Sequence, residues 1–63
     1  MDARFKVESW TKGDRLDREI AIVDHIAIAQ AAYEAAVREW PEKWITLRQA
    51  ARVIRENKPS TSA

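Results

Sequence analysis

The chain lacks cysteine, and it contains only one glycine, two prolines and one histidine among its 63 residues. Without cysteine there is neither a disulfide nor a thiolate site. An ordinary structural zinc site needs four cysteine or histidine ligands, so a single histidine excludes it. A phosphate-binding loop needs several glycines, so it is excluded as well. The chain therefore does not belong to the small domains that disulfides, zinc or a nucleotide hold together.

Long apolar segments are also missing from the sequence. No run approaches the roughly 20 apolar residues that a membrane-spanning helix needs. The first ten residues, MDARFKVESW, lack the apolar core of a secretory signal. We therefore expect no membrane contact and a cytoplasmic protein, which the lack of cysteine also fits.

What remains is the composition of a small folded domain. Hydrophobic residues make up 46%, charged residues 33%, and the net charge is +1, which is unlike a disordered chain. We place one domain at residues 1–57 and a flexible polar tail at 58–63. A chain this short buries only about 60% of its unfolded surface. We therefore expect a homodimer, since a second copy would cover apolar surface that one copy leaves in water.

The first third of the chain predicts a β-hairpin. Residues 4–10 alternate between apolar and polar side chains, and the following TKGD segment contains Gly13, which accepts a positive φ without steric cost. Residues 15–23 contain three β-branched side chains, which favour a second strand. The alternative is one long helix from about residue 14 to residue 40.

The middle of the chain is strongly helical. Residues 25–40, HIAIAQAAYEAAVREW, contain neither glycine nor proline, and their apolar side chains recur at spacings of three and four. Pro41 cannot continue a helix. Asp24 is the expected N-cap, and His25 is then an ordinary residue of the first turn.

The last third, residues 44–57, fits two structures. Thr46 and Gln49 have the spacing of a helical capping box, and Leu47, Ala50, Ala51 and Ile54 repeat at helical intervals. The same segment also divides into two short strands joined by a tight turn near residues 49–51. Local propensity by itself favours the helix.

Three segments, FKVESW, IAQAAYEAAVREWP and ITLRQAARVI, are distributed over residues 5–54. Together they resemble a group of short uncharacterised alphaproteobacterial proteins that have no assigned activity. Such sequences often have glycine at the position of Ala50, which implies a hairpin turn there and strands over residues 44–56. The fold we predict is α+β, a small ββαββ domain with one helix on a short antiparallel sheet. The alternative is an all-α chain with two or three helices after an N-terminal strand.

Charge is distributed unevenly along the chain. Residues 1–42 carry six basic and nine acidic side chains, whereas residues 43–63 carry five basic side chains and one acidic one. Arg48, Arg52 and Arg55 would lie together as one basic strip, both in a hairpin and in a helix. An acidic partner or a nucleic acid could bind such a strip, although exposed arginines often serve solubility alone.

Three tryptophans are many for so short a chain. They could stabilise a thin core, or one of them could anchor a partner, since tryptophan is enriched in binding hot spots. A single helix covers one face of a small sheet. Trp10 or Trp44, if it lies on the other face, would remain in water unless a partner covers it.

Catalytic or cofactor-binding patterns are absent from the sequence. Asp24 next to His25 could tune a general base, but no serine or cysteine nucleophile lies in a recognisable motif. The acids Asp14 and Asp17 lack the spacing of a calcium loop. We expect neither enzymatic activity, nor a cofactor, nor a bound metal.

The sequence thus favours a small non-enzymatic interaction module that self-associates. It would bind an acidic or protein partner through the strip Arg48, Arg52 and Arg55, with Trp10 and Trp44 as anchors. The alternative is a nucleic-acid-binding regulator, because a strand followed by helices is similar to the ribbon-helix-helix layout. A net charge of only +1 weighs against that alternative.

Overall fold

A computed structural model describes residues 4–58 of the chain. The element order is β1 (Phe5–Trp10), β2 (Leu16–Val23), α1 (Ile26–Glu39), β3 (Trp44–Gln49) and β4 (Arg52–Asn57). The predicted ββαββ order is confirmed, and both helical alternatives are wrong. Except for Lys58, the predicted tail lies outside the described residues.

The four strands form one antiparallel sheet in the order β2-β1-β3-β4. Each hairpin contributes one central strand, β1 or β3, and one edge strand. The two central strands pair without a bulge, so that Val7 lies opposite Leu47, Glu8 opposite Thr46 and Trp10 opposite Trp44. This pairing brings the N-terminal hairpin and the C-terminal hairpin together in one sheet.

Helix α1 covers one face of the sheet, which we call the covered face. Because side chains alternate along a strand, Val7 of β1 and Ile45 and Leu47 of β3 point to this face, and all three are fully buried. Ala29, Tyr33 and Ala36 of the helix complete the core. The small alanines let the helix approach the sheet closely. No other helix of residues 4–58 is available for the opposite face, which we call the open face.

The helix begins one residue later than the sequence suggested, and this changes its cap. His25, and not Asp24, is the N-cap: its backbone is extended, and its Nδ1 accepts a hydrogen bond of 3.2 Å from the Ala27 backbone N–H. Because the helix starts at Ile26, Asp24 lies one position too early to cap it. At the other end, the Trp40 N–H donates to the Ala36 carbonyl, and Pro41 follows.

The two hairpin turns depend on residues other than the expected glycine. No glycine of residues 4–58 has a positive φ; instead Asp14 (φ 61°) and Ala50 (φ 53°) adopt the left-handed conformation. Aspartate tolerates this region, so Asp14 takes the role that the sequence predicts for Gly13. Alanine does not gain a local side-chain hydrogen bond there, so the β3–β4 turn contains strain at Ala50.

Candidate functional site

The open face is formed by the side chains that alternate with the core residues. The central strands contribute Lys6, Glu8 and Trp10 from β1 and Trp44, Thr46 and Arg48 from β3. Their cross-strand neighbours on the edge strands add Leu16, Glu19, Ile22, Val53 and Glu56. The face therefore combines apolar, aromatic and charged side chains.

An ion pair with a buried carboxylate lies at the centre of the open face. Glu8 is only 2% exposed, although no helix of the described chain covers it. Arg48 donates to it through both Nε (2.9 Å to Oε1) and Nη2 (3.0 Å to Oε2). Such two-bond contacts between a guanidinium and a carboxylate are among the strongest polar contacts in proteins. The pair fixes the β1–β3 junction from the side opposite the core.

Trp10 and Trp44 lie side by side on the same face. Their ring centroids are 5.7 Å apart, with the planes tilted by 39°. Trp10 Nε1 donates to Thr46 Oγ1 (2.8 Å), and Trp44 Nε1 donates to Glu56 Oε2 (2.7 Å). Because both indole N–H groups are already bonded within the chain, the rings are held in place and offer a partner only their apolar surfaces.

The tryptophan pair separates two clefts. The first, which we call the face cleft, has a volume of about 330 Å³ and lies over Thr46, Arg48, Val53 and Glu56. The second, which we call the end cleft, has a volume of about 210 Å³ and is lined by Lys12, Glu42, Lys43 and Lys58. Trp10 and Trp44 line both clefts, and no other described residue does.

Three exposed aliphatic side chains are also present on the open face. Leu16 is 50% exposed, Ile22 38% and Val53 51%. Single exposed aliphatic residues are normal on protein surfaces. Three of them on the sheet face that carries two tryptophans add to its exposed apolar surface, a property that interaction sites share.

The expected basic strip does not form. Arg48 points to the open face and is bonded to Glu8. Arg55 lies opposite Leu47, which points to the covered face, and its guanidinium stacks on Tyr33 (4.8 Å to the ring centroid) and bonds to Glu34 (3.1 Å). Arg52 lies opposite Gln49 next to the turn. A β-bulge between Leu47 and Arg48 and the alternation of the strands distribute the three arginines over both faces.

Three lysines that the sequence analysis did not single out lie together at the end cleft. Lys12 belongs to the β1–β2 turn, Lys43 precedes β3, and Lys58 follows β4. Lys43 Nζ contacts Asp17 Oδ2 at 3.3 Å, and this hydrogen bond, with one from Ser9, lowers the pKa of Asp17. The sequence could have revealed the cluster only together with the strand order, because the three lysines become neighbours only at one end of the folded sheet.

The third tryptophan belongs to the covered face. Trp40 packs against the core, and the Arg18 guanidinium lies 5.8 Å from its ring centroid. Nearby in the core, burial raises the pKa of Tyr33, an effect that Arg55 partly opposes. The tryptophans therefore divide into one that stabilises the core and two that are available for contacts.

The remaining candidate residues have structural contacts. His25 caps the helix, and Asp17 is bonded to Ser9 and Lys43. Across residues 4–58, no group of three or more histidine and acidic side chains is placed to hold a metal ion. Within the same range, no helix combines the length and the apolar character that crossing a bilayer requires.

Comparison with known proteins gives no further assignment. No family model matches the chain, and neither a curated protein nor a solved structure matches it. The function must therefore be argued from the geometry and chemistry of the open face and its two clefts.

Proposed function

We propose that this protein is a non-enzymatic interaction module that self-associates through the open face of its sheet. The observation that carries the proposal is the Trp10–Trp44 pair, whose rings are 5.7 Å apart on the face that the helix does not cover. A cytoplasmic location, which the composition favours, is part of the same proposal.

The tryptophan pair has the properties of an interface hot spot. Tryptophan is enriched among the few residues that dominate binding energies, and such residues lie near the centre of an interface. Here the rings are already fixed by hydrogen bonds to Thr46 and Glu56. A partner that packs on them loses little entropy in ordering them, and such preorganisation strengthens binding.

The charge of the open face supports a second copy of the chain as the occupant. Two basic side chains, Lys6 and Arg48, share this face with three acids, Glu8, Glu19 and Glu56. A face with a slight excess of acid does not attract nucleic acid, which needs a concentration of basic residues. Glu8 and Arg48 are bonded to each other. Lys6 and Glu19 are therefore the charges that two copies could pair across a two-fold axis.

The size of the face limits the strength of this association. Strands of six residues are about 20 Å long, and four strands span about 19 Å. The face therefore has a projected area of about 400 Å², and two copies would cover about 800 Å² in total. Stable interfaces bury about 1,200–2,000 Å², and smaller ones belong to weak, transient complexes. We therefore expect a reversible dimer with a dissociation constant in the micromolar range or above.

Sedimentation velocity on a matched pair of variants tests this proposal. Val53→Glu places a charge on the open face at a side chain that is 51% exposed, whereas Ile28→Glu makes the same kind of change at a side chain that is 57% exposed on the helix. Between about 5 and 500 µM, wild type and Ile28→Glu should shift from 7.3 kDa towards twice that mass. Val53→Glu should remain monomeric.

Two results would contradict self-association through this face. One is a wild-type mass that stays at 7.3 kDa throughout the concentration range. The other is dimerisation that Ile28→Glu abolishes and Val53→Glu leaves intact, which would move the interface to the helix. Circular dichroism of both variants is the control, because both positions are exposed and the folded spectrum should persist.

A further inference from the structure

We infer that the end cleft binds an acidic segment of a protein partner, with an apolar side chain of that segment against the tryptophans. This is a second binding surface, which shares Trp10 and Trp44 with the face proposed for self-association. It also replaces the basic strip as the place where an acidic partner would dock, because Arg48 and Arg55 are engaged by Glu8 and Glu34.

The walls of the end cleft favour an apolar group. Trp10 and Trp44 line it, and both indole N–H groups are bonded elsewhere, to Thr46 and to Glu56. The rings therefore present no free donor to a ligand and interact through their faces and edges. A volume of about 210 Å³ suits a side chain of a peptide better than an extended polymer, since ligand pockets for whole small molecules start at about 300 Å³.

The rim of the same cleft favours negative charge. Lys12, Lys43 and Lys58 line it together with a single acid, Glu42. Lys43 already donates a hydrogen bond to Asp17. Lys12 and Lys58 are therefore the cations that a ligand carboxylate would contact. The Lys58 ammonium lies 4.5 Å from the centroid of the Trp44 ring. A cation on the ring holds positive charge directly next to the apolar wall.

This combination selects an acidic peptide over a nucleic acid. Single-stranded nucleic acids bind along a groove with successive stacking platforms and a continuous track of basic residues. The end cleft has one tryptophan pair, and the open face beyond it carries Glu8 and Glu56. An acidic residue next to a leucine-like side chain needs only one apolar wall and two nearby cations.

The test adds a short probe peptide to ¹⁵N-labelled protein and follows the indole N–H signals of the tryptophans. The probe is acetylated and amidated Glu-Glu-Leu-Glu-Glu, and its controls are Lys-Lys-Leu-Lys-Lys and Glu-Glu-Gly-Glu-Glu. The acidic leucine peptide should shift the Trp10 and Trp44 indole signals in a saturable manner. The Trp40 indole does not line the cleft and serves as an internal control. Both control peptides should bind at least tenfold more weakly.

A matched pair of double variants locates the site. Lys12→Glu with Lys58→Glu should weaken the acidic peptide about tenfold or more. Arg38→Glu with Arg52→Glu changes the net charge equally, at positions that do not line the end cleft, and should change affinity less than twofold. Peptide binding should also fall with added salt, because exposed charges are screened.

The proposal is overturned if the acidic peptide fails to shift the two indole signals. It is also overturned if both double variants weaken the peptide equally, or if a dodecamer of deoxythymidine binds the cleft more tightly than the peptide. The titration is repeated on Val53→Glu, whose tryptophans no second copy covers, so that binding should be at least as tight as in wild type. Absence of peptide binding in that monomeric variant contradicts the end cleft alone, whereas absence of wild-type dimers contradicts only the proposed self-association.

Discussion

The two faces of the sheet bury their central residues by different means. On the covered face, Val7, Ile45 and Leu47 are fully buried because a helix lies on them. On the open face, Glu8 and Thr46 are 2% and 3% exposed, although no described helix covers them. There, the longer side chains of Arg48 and Trp10 bond to them and shield them.

This difference distinguishes the covered face, which stabilises the fold, from the open face, which is free to bind a partner. Packing between helix α1 and the covered face is mainly apolar and non-directional, so it stabilises the domain in proportion to the apolar area that is buried. The open face is a network in which each buried polar group has a defined partner, and within residues 4–58 no buried side-chain nitrogen or oxygen lacks one. Such a network fixes the tryptophans in one arrangement.

The largest contrast is expected from truncating an aliphatic side chain on each face. Leu47→Ala removes a fully buried side chain from the covered face, and such changes cost about 2–5 kcal/mol. A domain of this size has at most about 3–5 kcal/mol of net stability, so this variant should lose most of it. Val53→Ala on the open face should cost less than about 1 kcal/mol. Urea denaturation followed by circular dichroism measures both.

The comparison must be made at one protein concentration, because a dimer makes stability depend on concentration. If Val53→Ala destabilised the chain as much as Leu47→Ala, the open face would be a second core. The distinction between a stabilising face and a binding face would then be wrong.

A medium effect is expected from the ion pair on the open face. Glu8→Gln removes the charge from a nearly fully buried side chain and leaves Arg48, which is 29% exposed, with a neutral partner. We expect a loss of about 1–3 kcal/mol in the free energy of unfolding, as for other buried groups that lose their charged partner. The double variant Glu8→Leu with Arg48→Leu should recover most of it, since apolar pairs often replace buried ion pairs at little cost.

Urea denaturation of the single and double variants decides between two roles of this pair. Recovery in the double variant means that the pair serves the specific arrangement of the face rather than stability. If the double variant is less stable than Glu8→Gln, the ion pair itself stabilises the sheet, and the two faces contribute more equally than their chemistry suggests.

Much of the fold could be predicted from local patterns. The two strands within 44–56 follow from the resemblance, because local propensity favours a helix there. Alternation over residues 4–10, the β-branched side chains of residues 15–23 and the alanine-rich segment before Pro41 correspond to the first three observed elements. Each of these signals depends on residues close in sequence. The predicted cap and the predicted left-handed turn residue are each wrong by one position: the cap is His25 instead of Asp24, and the turn residue is Asp14 instead of Gly13. Several adjacent residues could have filled either role.

The candidate site was only partly predictable. Trp10 and Trp44 could be singled out as candidate anchors, but their contact depends on the bulge-free register between β1 and β3. The grouping of Lys12, Lys43 and Lys58 depends on the order of the strands in the sheet. The separation of Arg48 from Arg55 depends on alternation along two strands and on a bulge. None of these long-range pairings leaves a local signal in the sequence.

A smaller effect on stability is expected at the β3–β4 turn. This turn determines which side chains of the two strands share a face. Ala50 has a φ of 53°, a conformation that costs an L-residue about 1–2 kcal/mol. Ala50→Gly removes this strain and loses part of the gain to the entropy of glycine. We expect a net gain of about 0.5–1 kcal/mol in the free energy of unfolding, with both faces unchanged.

Asp14→Gly is the matched control for Ala50→Gly, since Asp14 also has a positive φ, 61°, but tolerates it. Its thermal midpoint should change less than that of Ala50→Gly. A loss of stability in Ala50→Gly would mean that the alanine makes contacts that outweigh the backbone strain.

The smallest effect on stability is expected from ionisation of the Tyr33 hydroxyl, and it is expected only at high pH. Burial raises the pKa of its hydroxyl above the ordinary value of 10.0, so the folded chain holds the proton more tightly than the unfolded chain. Its contribution to stability is therefore complete below pH 10 and is lost as the pH rises from there through the folded pKa. Tyr33→Phe cannot ionise, so the stability difference between wild type and Tyr33→Phe should be constant below about pH 9 and should shift in favour of the variant above about pH 10.

Thermal unfolding between pH 7 and 11 measures this difference, and lysine titration cancels because both proteins contain the same lysines. A constant difference across the whole range would show that the hydroxyl is as well hydrated in the folded chain as in the unfolded one, so that the covered face would be less dry than its apolar packing indicates.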